Sequence, residues 1–466
     1  MHLSTGHYLS IVFSLCIILI ISFYARVKVK VSSDFTVGGH NAGILIVTGM
    51  FIGTFVGGSC TIGTAQLAFV YGLSAWWFTL GLGVSSLLLA LFFAKPIHNT
   101  KLETVPQFLS SVYGKKTGLV SVVIMCTSLF ITLVPQIISA AALFSTITGM
   151  LPVYGAALAV SMTACFIFFG GFWGAGMSGL YKTILLYGAL VIGGILAFLW
   201  AGGWSGLRNS FPQFPWFSLF GRGIWKDLSG GISLLIGIIT SQTTMQALSA
   251  ATNEKTARLG ALFAAFLIPP LGLASIFIGL YMRQNYPSIN PVEALPRFIL
   301  TLNPWFSGLL IATMLITVIG AAAGITLGVS TIVTRDIYQK IRFNSTDREN
   351  IFVSRCVIIL ILIFALFIAL SGLESFVLYW SYYALGLRGA ALFIPLLVTL
   401  FKPDVFLSRT VNISMILAAF TVFMWGTLLG KSEQSIYIGL MVSFAILLIG
   451  FMRNRSVGGV KEVKKG

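Results

Sequence analysis

Apolar residues in this chain fall in long runs separated by short polar stretches. Thirteen runs can be marked off, at about 8–26, 43–70, 74–95, 117–149, 153–172, 180–203, 228–251, 258–282, 304–334, 352–372, 375–400, 408–430 and 434–452. A helix of about 20 apolar residues crosses the hydrocarbon core of a bilayer. The pattern therefore predicts an all-α polytopic membrane protein of about 13 transmembrane helices. We number the run at 8–26 as a leading helix, the next ten as core helices 1 to 10, and the last two, within 408–452, as trailing helices. Residues 1–466 are read as one transmembrane domain with no soluble module attached, and the first run as a retained span rather than a cleaved leader.

Composition agrees. The chain is 57% hydrophobic and 9% charged, with a mean hydropathy of +0.97, too few charges to cover a soluble surface of this size. The 38 Phe and 49 Gly suit closely packed membrane helices. A net charge of +17 would suggest nucleic acid in a soluble protein, but here the basic residues gather at span ends, where membrane topology accounts for them. With the C-terminus inside, the inside loops carry 22 of the 29 Lys and Arg, Lys182 among them, and the outside loops 6, leaving Arg388 within a span. This positive-inside bias predicts a multi-pass protein of the plasma or inner membrane with its N-terminus outside and its C-terminus cytoplasmic. The outside loops 204–227 and 283–303 are rich in Pro and aromatic residues and read as lids or short surface helices.

One apolar run is interrupted. "GTFVGGSCTIGTAQ", residues 53–66, holds four glycines, three threonines and a serine without a charge. In hydrocarbon an unwound backbone is tolerated only where it lines a cavity or is buried in protein. Residues 53–59 are thus a candidate mid-membrane break, whose freed carbonyls would hold a cation and whose freed N–H groups would hold a polar solute. Close helix packing through small residues is the competing explanation.

Other chemistry is excluded. The five cysteines lie in or beside apolar segments with no metal-ligand spacing, and no metal or cofactor is expected. No phosphate-binding loop points to ATP-driven pumping, and no nucleophile, metal or acid–base set points to an enzyme. Most of the 12 acidic residues fall in loops or at helix ends, with Glu374 near a span start, so no intramembrane carboxylate relay is expected. Arg388, in "YYALGLRGAALFIP", is the one charge deep in a span. It is expected either to bind a carboxylate or phosphate of a solute or to hydrogen-bond the carbonyls of a broken helix. Tyr379, Tyr382 and Tyr383 precede it on the same helix.

Three stretches resemble the sodium:solute symporter family. "SDFTVGGHNAG" (33–43) is similar to the family's loop before core helix 1, with His40 where Arg is usual. "QTTMQALSAATNEKTARLG" (242–260) resembles the end of core helix 6, with Ala247 at an Arg position. "STIVTRDIYQK" (330–340) resembles the end of core helix 8. The resemblance implies a leucine-transporter-like fold in which core helices 1–5 (43–203) and 6–10 (228–400) form two inverted repeats, with helices 1 and 6 broken at mid-membrane. It also implies a sodium site with backbone donors at Gly53, Val56 and Thr317 and a hydroxyl pair on core helix 8. At that pair this chain carries Gly320 and Ala321, which have no side-chain oxygen. On core helix 5, Thr183 stands at the position of the family's Asp, preceded by Lys182. We expect Lys182 to be an ordinary inside charge at a span end; the alternative is an ammonium in the empty ion position, tying core helices 1, 5 and 8 together.

The residues expected to face the solute are Phe55, Gly57, Gly58, Ser59, Thr61 and Gln66 on core helix 1, and Trp77, beside Trp76, on core helix 2. Gln136 on core helix 3, Thr240 and Gln242 on core helix 6, and Arg388 complete the set. The expected activity is secondary transport of a small organic solute by alternating access, independent of sodium because the ion site is degraded. The alternatives are an ordinary sodium-coupled symporter, its site completed by Thr54 or Thr317, and a transporter-like membrane sensor. The expected partners are the solute and the lipid bilayer, with proton or sodium coupling left open and no nucleic acid. The oligomeric state is not legible.

Overall fold

A computed structural model describes residues 4–27, 31–373, 375–402, 405–428 and 434–462. Glu374, Lys28, Lys30, Lys431, Lys464 and Lys465 lie outside the described residues. Among the described residues there is no strand, only an isolated bridge between Ala42 and Ala251. The longer helices in chain order are α1 (Thr5–Val27), α2 (Ile44–Phe55), α3 (Thr64–Tyr71), α4 (Trp77–Leu88), α5 (Lys115–Thr148) and α6 (Pro152–Leu185). There follow α7 (Ile224–Ile239), α8 (Gln242–Ser249), α9 (Glu254–Asn285), α10 (Pro304–Ile332) and α11 (Asp347–Ser371). α12 (Val377–Phe401), α13 (Ser408–Leu428) and α14 (Ser435–Glu462) complete the set.

Among the described residues every apolar run lies mostly on helix, those at 43–70 and 228–251 being interrupted near their middle. Among the described residues, 9 helices are long and apolar enough to cross a membrane, or 10 if the bent pair α7 and α8 is one span. The helices Ile44–Phe55 and Pro152–Phe168 are apolar but shorter. α10 runs through the centre of the bundle: its most apolar stretch is 94% buried. The segments expected as lids carry short helices, Gly203–Ser210, Gln213–Trp216 and Ala294–Leu300.

The sequence expectation fails at one boundary, and the failure decides the reading of the site. Residues 173–179 were expected to connect two spans, because the apolar runs were marked off at 153–172 and 180–203. They are helical. α6 only bends at Gly171, at φ 48° and ψ −141°, a conformation open to glycine and strained for other residues. The glycines after the bend serve packing. A side chain on Gly179 would fall on the carbonyl oxygen of Gly49, and one on Gly176 would strike Ile46. Small residues on both faces let α2 and α6 approach backbone to backbone, as small-residue motifs do in membrane bundles. The span therefore begins well before 180, and Lys182 lies 11 residues beyond the bend, 1% exposed. It is not an inside-loop charge.

Candidate functional site

The interrupted run is a true break. α2 ends at Phe55, Val56 turns to φ −85° and ψ 94°, and the helix resumes through a wide turn at Ser59–Gly63. A helix that stops inside protein leaves its last carbonyls without intrahelical donors. Ile52 O is taken by Val56 N–H at 3.0 Å, and Phe55 O accepts from the Cys60 thiol at 3.2 Å. Gly53 O is taken by Lys182, whose Nζ donates to it at 2.9 Å and to Thr317 O at 3.2 Å. On the other side of the break, Gly58 N–H donates to Gln136 Oε1 at 2.8 Å.

Lys182 thus bridges α2, α6 and α10 through two of the three carbonyls expected to hold sodium. Nearby, a side-chain carbon on Gly320 would meet no atom within 4 Å, so there is open space where a hydroxyl was expected. Ala321 is fully buried, and the buried Thr317 Oγ1 has no hydrogen-bond partner. Thr183 stays outside the site: its Oγ1 donates one turn back to Gly179 O at 2.7 Å.

A second break separates α7 from α8, bent by 43°. Its carbonyls are met in the same way. Thr240 Oγ1 donates back to Ile236 O at 2.9 Å, and Thr244 Oγ1 to Ile238 O at 2.7 Å. Arg388 Nε donates to Gly237 O at 2.8 Å, while its Nη1 donates to Ser128 Oγ at 3.2 Å and Thr132 Oγ1 at 3.3 Å. Gly53 and Gly237 each lie two residues before the end of their helix. Arg388 lies 11 residues after Val377, the start of α12, matching the position of Lys182 after Gly171. Each broken helix therefore ends on a cation from a long helix, where the dipole favours positive charge.

Between the breaks is a cavity with about 40 Å³ free for the centres of water-sized molecules, room for a few waters. Helices contribute at helical spacing: Phe78 and Leu82 from α4; Leu129, Thr132 and Gln136 from α5; Ser381, Leu385 and Arg388 from α12. Thr54, Phe55 and Ser59 flank the first break, and Ile238, Ser241 and Thr243 the second. Ser59 and Ser381 share a hydrogen bond of 2.7 Å across the cavity wall. A larger hollow of about 530 Å³ beside Ser145, Tyr286 and Arg297 lies against the lid segments and touches neither break, so we place the site in the smaller one.

Of the expected solute-facing residues, Phe55, Ser59, Gln136 and Arg388 line this cavity. Gly57 and Gly58 form the break itself, where side chains would collide with Gln136 and Ser139. The others do not face it. Thr61 Oγ1 donates to Gly57 O at 3.2 Å, back onto the break. Gln66 accepts from Val377 N–H at 2.9 Å and so holds the start of α12. Trp77 donates to Leu219 O at 2.7 Å, and Thr240 is back-bonded as described. Gln242 accepts from Val105 N–H at 3.1 Å and donates to Glu103 O at 2.9 Å. Ser241 and Thr243 take the places given to Thr240 and Gln242. Ser381 went unnoticed, although its spacing of seven residues from Arg388 puts both on one face of α12. The neighbouring tyrosines point elsewhere: Tyr379 stacks on Phe376, Tyr382 packs on Phe78, and Tyr383 donates to Phe423 O at 3.4 Å.

Polar contacts stand at both ends of the cavity. Toward the lids, Arg222 pairs with the buried Asp227 at 2.7 Å and lies over the Tyr382 ring at 5.6 Å. At the opposite end, Arg335 grips Glu103 with two bonds of 2.8 and 2.9 Å, and Thr104 donates to the buried Asp336 at 2.6 Å. Asp227 and Asp336 sit at helix ends, as acidic residues were expected to, but neither is solvated.

Known proteins share this architecture. The structure of a Na+-coupled sialic acid symporter in its substrate-bound outward-open state superposes with a TM-score of 0.79 at 18% identity, covering 96% of this chain and 97% of that one. MhsT in complex with L-phenylalanine superposes with a TM-score of 0.58 at 16% identity, covering 88% and 99%. The fold is leucine-transporter-like. In sequence, the chain is 23% identical to the sodium/proline symporter of Escherichia coli (strain K12) over 87% of this chain and 85% of that one. It is 24% identical to the human high affinity choline transporter 1 over 73% of this chain, spanning 63% of that relative's length. It is 20% identical to an uncharacterized symporter of Bacillus subtilis (strain 168) over 76% of this chain and 72% of that one. These relatives are transporters, not enzymes. The profile of the sodium:solute symporter family matches residues 35–409, and the chain belongs to that family of multi-pass membrane proteins.

Proposed function

We propose that this protein is a secondary transporter that moves a small organic solute by alternating access without sodium. The observation that carries the reading is the Lys182 ammonium on Gly53 O and Thr317 O at 2.9 and 3.2 Å. A hard cation needs several oxygens in place of its hydration shell. Here two are engaged by Lys182 Nζ, which occupies the spot a cation would need, and the hydroxyl pair is replaced by Gly320 and Ala321. Sodium's structural task, joining the broken helix to its neighbours, passes to a side chain. The matched positions of Lys182 and Arg388 support two inverted five-helix repeats, 43–203 and 228–400, between the leading helix and the two trailing helices at 408–452. The basic loops support a cytoplasmic C-terminus, which makes the lids extracellular.

Uptake into proteoliposomes with choline in place of sodium tests the proposal. Flux persists if the reading is right. Flux that vanishes without sodium makes the protein an ordinary sodium-coupled symporter of its family. A pH gradient applied in the same sodium-free vesicles decides whether a proton drives the transport.

A further inference from the structure

We propose that the transported solute is a small monocarboxylate, and that Arg388 Nη2 is the group that receives its carboxylate. This rests on the transporter reading above and narrows its substrate class. Arg388 is 2% exposed and lines the cavity between the two breaks. Among the described residues no carboxylate pairs with it. Its partners are a backbone carbonyl and two hydroxyls, held by Nε and Nη1. That leaves the two N–H groups of Nη2 without an acceptor among the described residues. A buried guanidinium without an anion is costly, and the structure elsewhere pairs its buried arginine, Arg222, with Asp227. A carboxylate entering the cavity would supply the missing charge through charge-assisted bonds. Nη2 presents one free edge to the cavity, which suits a single carboxylate group. Ser59, Ser381 and Thr132 can bond the second carboxylate oxygen or a hydroxyl on the solute. Phe55, Phe78 and Leu385 offer an apolar wall to its body.

The test uses the purified full-length protein in sodium-free buffer. Thermal stability is measured with straight-chain monocarboxylates from acetate to hexanoate, each against its primary amide, and with phosphate and choline. Stabilising solutes are then followed into proteoliposomes. At least one acid is expected to raise the melting temperature while its amide does not. Arg388→Gln should weaken that acid by about 100-fold, as loss of a charge-assisted pair does, and Arg388→Lys by less. Because Arg388 also caps Gly237 O, either variant can lose stability for structural reasons. Ser128→Ala separates the effects: it removes an Nη1 partner, so it should lower stability yet keep the preference for acid over amide. An amide that stabilises as well as its acid overturns the proposal. So does a phosphate, choline or other non-carboxylate solute that is transported with Arg388→Gln indifferent, although the transporter reading then stands. If no member of a wider metabolite panel stabilises or enters the vesicles, the transporter reading falls with it.

Discussion

Lys182 Nζ lies 2.9 Å from Gly53 O, so a side-chain ammonium ties the unwound end of α2 to the span that follows Gly171. A bound ion can leave during a transport cycle; a lysine remains on its helix. Replacing it leaves Gly53 O and Thr317 O without this donor and opens a cavity where a long stem was packed. Lys182→Ala should therefore destabilise the protein by about 2–5 kcal/mol, the range for buried truncations that also strip hydrogen bonds, and should reduce flux. Lys255→Ala, at an exposed position, should stay within about 0.5 kcal/mol of the parent. Thermal unfolding in detergent, with uptake measured on the same preparations, checks both. Equal and small effects would return Lys182 to the role of an ordinary charge.

The open space at Gly320 invites a reconstruction. Lys182→Ala combined with Gly320→Ser and Ala321→Ser removes the ammonium and restores two hydroxyls beside the carbonyls of Gly53 and Thr317. Space at Gly320 is assured, since a side-chain carbon there meets no atom within 4 Å. The triple variant is expected to gain stability from sodium and not from choline. Binding at a hundred times the dissociation constant contributes about 2.7 kcal/mol, a shift that thermal unfolding resolves. A triple variant with no sodium response would show that loss of the hydroxyls and arrival of the lysine do not suffice to explain the site.

These two residues also mark what the sequence could and could not show. The bundle was legible because apolar run length is a local property, and the described part of each run lies mostly on helix. The break at residues 53–59 was legible because glycines and hydroxyls clustered in an apolar run. Lys182 was misplaced because the apolar runs were divided at 173–179, where the glycines serve contact between α2 and α6. A glycine that frees the backbone and one that admits a neighbouring backbone look alike until the neighbour is known. Gln66, Trp77 and Gln242 were assigned to the cavity by polarity and nearness to a break, yet their partners, Val377, Leu219 and Glu103, come from distant sequence. Ser381 was within reach, since Ser381, Leu385 and Arg388 repeat at the spacing of one helical face.

The packing role of glycine can be separated from its flexibility. Gly179 and Gly188 both follow the bend at Gly171 in the same span. A side chain at Gly179 would fall on Gly49 O, whereas one at Gly188 meets nothing within 4 Å. Gly179→Ala should force α2 and α6 apart and cost about 1–3 kcal/mol, as overpacking does. Gly188→Ala should be neutral or stabilise by up to about 1 kcal/mol through helix propensity. Folded yield and thermal unfolding of the two variants give the comparison. If Gly179→Ala is as well tolerated as Gly188→Ala, the close approach described for α2 and α6 is wrong.

Glu103 and Arg335 join the segment before α5 to the turn Val333–Tyr338 that follows α10 through two short bonds, with side chains only 14% and 16% exposed. Gln242, next to the cavity residue Thr243, is bound to the same segment through Val105 N–H and Glu103 O. The pair is therefore placed to hold this end of the cavity shut. Its loss should shift the balance toward a form open on the basic-loop face. A charge-assisted contact at this burial is worth about 1.5–3 kcal/mol, and 1.4 kcal/mol is already a tenfold change in population. In a background lacking the five native cysteines, Ser241→Cys reports access to the cavity. Adding Arg335→Ala should speed its reaction with a membrane-impermeant thiol reagent about tenfold or more from the basic-loop face. The rate from the lid face, where Arg222 and Asp227 remain paired, should fall or stay unchanged. A rise confined to the lid face would reverse the assignment of the two ends.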